Sequence, residues 1–249
     1  MIVYEQPLNE KIRLFLRLEL LVKRFRHHLE KERRSDTLSA LTTLLELYNL
    51  SARIDLKSDV IKEMDRMSQS VRRVIGGTGE QDETLERLTD HSNVLYQQRG
   101  PLGQHLRSHV FFSTLRQRTS LPGGVNGFDI PLLNFWLESD VETRAADLRE
   151  WGSAYMKTAD AATYLLSLIR NYCDGQDHVA RAGFFQMSLG LGQNYQMLQI
   201  ILPEKSPLYP EISAGKQRFS LRFVEVNLFA ERGKQVRDDV PFKLKLCSF

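Results

Sequence analysis

A chain of 249 residues with 42% hydrophobic and 26% charged side chains can form one large domain or two modest ones, and its composition is neither disordered nor membrane-spanning. The net charge of +3 is too small to demand a nucleic-acid partner. No apolar run approaches the roughly 20 residues of a membrane helix, so no direct membrane insertion is expected.

The start, Met1-Ile-Val-Tyr-Glu-Gln-Pro7, lacks the charged, apolar and small-residue pattern of a signal peptide. Ile2-Val3-Tyr4 is short and β-prone, a candidate edge strand. From Asn9, the apolar positions Phe15, Leu18, Val22, Phe25 and Leu29 recur three and four apart, which predicts an amphipathic helix. That stripe can be buried in a helical body or serve a dimer. The same stretch carries Lys11, Arg13, Arg17, Lys23, Arg24, Arg26, Lys31, Arg33 and Arg34, read as a solvated basic face.

Leu38, Leu41, Leu45 and Tyr48 predict a second helix. Val60, Met64, Met67, Val71 and Val74 predict a third, capped by Ser58 and stopped by Gly76-Gly77. Leu85, Leu88, Ser92 and Leu95 mark a fourth, ending before Gly100-Pro101. Further helices are expected at 103–117, after Asp129 as cap with Pro131 in the first turn, and at 158–171.

Beyond Asp174-Gly175 the pattern changes to short alternating segments at 184–187, 195–202, 218–226 and 242–246. Turn clusters at 190–194 and 213–215 separate them, which predicts an antiparallel meander. The expected architecture is α+β, with a helical domain over 8–173 and a β domain from 1–7 and 174–249.

No catalytic constellation emerges. His105 and His109 have a chelating spacing, but Leu106 stands where a metalloprotease needs its glutamate, and no third ligand follows. Gly190-Leu-Gly192 lacks the third glycine of a dinucleotide loop. Gly215-Lys216 lacks the upstream glycine and the Ser or Thr of a phosphate loop. Cys173 and Cys247 offer no ligand spacing and are expected as free thiols in a reducing cytoplasm. The expectation is a binding protein without metal or cofactor.

The strongest binding candidate is Lys216-Gln-Arg218-Phe-Ser-Leu-Arg222-Phe223. In an extended strand, Lys216, Arg218 and Arg222 share one face while Phe219, Leu221 and Phe223 share the other. Such a stripe suits an extended acidic partner. A nucleic-acid-binding surface is the alternative, although charge and aromatic rings then fall on opposite faces.

Four stretches together resemble one family: Pro7-Leu-Asn-Glu-Lys11 with Leu16-Arg17-Leu18-Glu19; Lys62-Glu63-Met64-Asp65-Arg66; Arg116 to Gly124 leading into Phe128-Asp129-Ile-Pro131 and Trp136-Leu137; and Leu208 to Ser213 leading into Lys216 to Phe223. This pattern is similar to the ZapD family. The resemblance implies a cytoplasmic, non-catalytic homodimer at the mid-cell division site that binds the C-terminal tail of FtsZ and cross-links its filaments. It implies a basic pocket with Arg218, Arg222 and Arg53 as site residues, and strand geometry adds Lys216.

Overall fold

Asn9 accepts the Ile12 amide on Oδ1 at 2.9 Å and so opens the first helix where the apolar pattern begins. The structure, a computed structural model, describes residues 1–73, 79–190, 192 and 194–248, with backbone only at 79 and 80. Val74 and Gly76-Gly77, the expected end of the third helix, lie outside the described residues, as do Leu191 and Gln193 of the expected turn cluster. The fold is α+β. Its elements run β1 (Ile2–Pro7), α1 (Glu10–Leu29), α2 (Arg34–Ser51), α3 (Leu56–Arg73), α4 (Gly79–Gln97), α5 (Gln104–Arg107), α6 (Val110–Arg118), α7 (Pro131–Leu137), α8 (Val141–Asn171), then β2 (Gly175–Ala180), β3 (Phe184–Ser188), β4 (Tyr195–Leu202), β5 (Leu208–Ala214), β6 (Arg218–Glu225) and β7 (Val240–Ser248). Two compact units result, one of Leu14–Leu165 and one of Met1–Arg13 with Leu166–Phe249.

In the helical unit the α1 stripe from Phe15 to Phe25 is used inside the chain, with Leu29 partly buried at its end. Phe15, Leu18 and Phe25 are 0% exposed and Val22 is 2% exposed, so this seam is core rather than a dimer surface. Met64 and Met67 are likewise buried. Gly152 on α8 allows the close approach, since a Cβ there would lie 2.9 Å from Phe25 Cε1. The basic face of α1 is largely spent on ion pairs: Arg24 bonds Glu46, Arg26 reaches Asp160 at 2.7 Å, and Lys23 sits 3.4 Å from Glu19.

Several helix boundaries differ from expectation. Asp55, not Ser58, opens α3: its carboxylate accepts the Ser58 amide at 3.2 Å and the Ser58 hydroxyl at 2.6 Å. Ile130, not Asp129, precedes Pro131 as the cap residue of α7. The expected 103–117 helix is broken into α5 and α6, and the expected 158–171 helix begins far earlier, at Val141. Asp140 starts it by accepting the Thr143 amide at 2.8 Å.

Among the described residues the β unit has two antiparallel sheets, ordered β1-β4-β7-β2 and β3-β6-β5, where a single meander was expected. β4 and β7 pair with each other although β5 and β6 intervene in sequence. β1 takes the expected edge position against β4. The inner faces share one core of Leu198, Ile200, Phe219, Leu221, Phe223, Phe242 and Leu244. Two strands had escaped the sequence pattern. β2 is mostly polar, and β5 contains Pro210, which an edge strand tolerates because its missing N–H need not enter a ladder.

Cys173 and Cys247 are joined as a disulfide with Cα atoms 5.1 Å apart, which corrects the expectation of two free thiols. Their separation of 74 residues concealed the pairing, because β7 returns beside the chain that leaves α8.

Candidate functional site

The β6 sequence alternates as its composition demands. Phe219, Leu221 and Phe223 are at most 1% exposed, while Arg218 is exposed and Arg222 half-exposed. Burying the aromatic face against Phe242 therefore fixes the arginines outward, with Phe223 and Phe242 ring centres 5.2 Å apart. The two arginines stand four residues apart, about 13 Å along the strand.

Strand register supplies the neighbours. Across the ladder, Arg222 faces Phe184 on β3 and Glu211 on β5. Ser220 faces Gln186 and Ser213, and Arg218 faces Ser188. Phe184 is held there by the two-residue turn Ala182-Gly183, whose φ values of 49° and 70° suit the twist of a β-hairpin. Asp239 secures this turn by accepting the Ala182 amide at 3.0 Å. That hydrogen bond, reinforced by Arg181, holds the Asp239 carboxyl below the usual carboxylate range.

The resulting outer face is polar apart from Phe184, and its arginines, Arg218 and Arg222, are unequal. The Arg218 guanidinium has no hydrogen bond or ion pair among the described residues. It lines a recess of about 330 Å³ with Gln186, Ser213, Gly215 and Ser220. Arg222 is engaged: Glu211 Oε2 accepts Nε at 2.8 Å and Nη2 at 2.5 Å. Hydroxyl and amide groups beside a guanidinium can receive a carboxylate by charge-assisted hydrogen bonds.

Lys216 does not belong to this strand face. β6 starts at Arg218, and Lys216 sits in the loop between β5 and β6, where Gly215 N–H donates to Arg218 O at 2.9 Å. Period-two alternation therefore does not apply to it, although its charge stays at the same end of the hairpin. Arg53 is exposed in the turn between α2 and α3 of the helical unit, without a hydrogen bond or ion pair among the described residues. Sequence reasoning missed Phe184, Gln186, Ser213 and Glu211. The signal for Glu211 was available once Gly215 is taken as the hairpin turn, because counting back along the partner strand reaches it opposite Arg222.

The two histidines of the metal reading are divided between elements. His105 Nε2 lies 3.0 Å from Trp151 O, and His109 precedes α6 with its ring against Phe112. Among the described residues, no three His, Cys, Asp or Glu side chains form a group able to hold a metal ion.

A sequence model described as "ZapD: Cell division protein" matches residues 16–222. The chain is 36% identical over 253 residues to a cell division protein ZapD of Chromobacterium violaceum, with 100% of each chain covered. It is 35% identical over 257 residues to that of Methylococcus capsulatus, covering 99% of this chain and 98% of the relative. To that of Aromatoleum aromaticum it is 34% identical over 251 residues, covering 99% and 97%. Similarity of this extent identifies the chain as a member of the ZapD family of cell division proteins.

Proposed function

We propose that this protein is a non-catalytic adaptor that binds the acidic C-terminal tail of FtsZ and, as a homodimer in the cytoplasm at mid-cell, cross-links FtsZ filaments. The observation that carries the reading is the outward Arg218, whose guanidinium has no partner among the described residues, beside its recess and with Arg222 on the same rigid strand. Arg53 and Lys216 are assigned to the same partner as further cations. Membership of a cell division family supports a divisome partner. No described helix is long and apolar enough to cross a membrane.

Exposed ion pairs contribute only about 0–1 kcal/mol each. A micromolar contact, roughly −8 kcal/mol, therefore needs apolar burial as well, and Phe184, 46% exposed beside Arg222, offers it. Weak single contacts suit a bridging role, because two tails held by one dimer gain through effective concentration. Co-sedimentation with FtsZ filaments tests the reading: Arg218→Ala with Arg222→Ala abolishes pelleting with the polymer, and undiminished pelleting refutes the site.

Phe184 beside Arg222 also favours a second reading, single-stranded nucleic acid, since ring and charge now meet on one face. Glu211 in the same row opposes a phosphate backbone of closely spaced charges. A mobility shift with random oligonucleotides at physiological salt would favour this alternative.

A further inference from the structure

On the outer face of the β3-β6-β5 sheet, one arginine is open and the other is already occupied by the protein's own carboxylate. We propose that Glu211 is an internal competitor for the acidic partner, holding Arg222 in reserve and setting how tightly and how selectively the face binds. The proposal rests on the reading of this face as the seat of an acidic peptide, and it adds a residue that the arginines alone do not disclose.

The geometry is that of a ligand contact made internally. Glu211 and Arg222 are direct cross-strand partners, so their side chains leave the sheet on the same face. Glu211 Oε2 takes both Nε and Nη2 of the guanidinium, the two donors that a bidentate carboxylate ligand would use. Both side chains are 43% exposed, so the pair is open to solvent and to an incoming carboxylate rather than sealed in the core. Inward, Leu221 and Phe223 are fully buried, which fixes the strand and confines any adjustment to the two side chains.

An acidic segment arriving at this face meets Arg218 first. That guanidinium has no partner among the described residues, and Ser213, Ser220 and Gln186 around its recess add neutral polar groups. A second carboxylate farther along the segment then competes with Glu211 for Arg222. A partner with a single carboxylate gains only the Arg218 seat. A partner with two, spaced to span about 13 Å of extended chain, gains both. The competitor therefore discriminates by number and spacing of charges, a specificity device that sacrifices affinity for selection. The competing contact is weak because it is exposed, so displacement by a tethered second carboxylate is feasible.

The test compares binding of a synthetic peptide of the FtsZ C-terminal tail to wild type, Glu211→Gln and Glu231→Gln by fluorescence anisotropy at low and physiological salt. Glu231 is an exposed acid of the same unit outside this row, so its variant makes the same change in net charge without freeing Arg222. The expected result is a two- to five-fold lower Kd for Glu211→Gln, as release of one exposed pair allows, with Glu231→Gln unchanged. A Kd for Glu211→Gln equal to or higher than wild type overturns the competitor role while leaving the tail-binding reading intact. An equal gain from Glu231→Gln also overturns it, by reducing the effect to net charge. Absence of peptide binding by both wild type and Glu211→Gln overturns the tail-binding reading and the competitor role with it.

Discussion

Phe184 on β3 lies directly opposite Arg222 on β6, placing an exposed ring and a guanidinium on the same outward face of one sheet. The relationship arises from two independent strands, and it supplies the apolar element that the arginines lack. Phe184→Ala is expected to weaken binding of the FtsZ tail peptide about three- to ten-fold, the scale of partial burial of one aromatic side chain. The sheet should remain folded because Phe185, its neighbour, supplies the inward contact to Phe242 at 5.2 Å between ring centres. An unchanged Kd would remove Phe184 from the contact.

This pair also shows what the sequence could and could not disclose. β6 was legible because Phe219, Leu221 and Phe223 alternate with Arg218, Ser220 and Arg222, a period that only an extended strand satisfies. The α1 seam was legible through its three-four spacing, and burial of Phe15 and Phe25 decided between the two uses open to it. Neighbours across a ladder were not legible. β5 was obscured by Pro210, and with it went Glu211. Pairing of β3 with β6 depends on register between segments far apart in the chain, as does the meeting of Cys173 with Cys247. Local pattern specifies faces; only the closed sheet specifies who stands beside whom.

Asp55 gives α3 its start and makes stability depend on acid pH. The Ser58 hydroxyl, with help from the Ser58 amide, holds the Asp55 carboxyl below its ordinary value despite the opposing effect of burial. A carboxyl depressed in the folded state stabilises the protein fully above its unfolded pKa, near 3.9, and loses that contribution as pH falls through the folded value. Asp55→Ala is expected to lower unfolding free energy by about 0.5–2 kcal/mol at pH 7, with the deficit shrinking below about pH 4. Urea melts at the two pH values check this, and a deficit that persists undiminished at low pH would contradict the capping role.

The Cys173–Cys247 pair ties the segment after α8 to β7 within the β unit. Protein isolated without reductant is expected to leave both cysteines unlabelled by iodoacetamide in denaturant. Labelling of both should follow prior reduction. Mass spectrometry distinguishes the states, and full labelling without reduction would contradict the pairing. Closing a 74-residue separation is expected to add about 2–5 kcal/mol to stability, so reduction should lower the denaturant midpoint.

The central claim is that the β6 arginines receive the tail of FtsZ, and co-sedimentation of FtsZ filaments with wild type and with Arg218→Ala/Arg222→Ala tests it most directly. The account predicts that wild type pellets with the polymer, less so as salt screens exposed charges, and that the double variant stays in the supernatant while keeping its fold. Pelleting of the double variant at the wild-type level, or binding indifferent to salt, would contradict it.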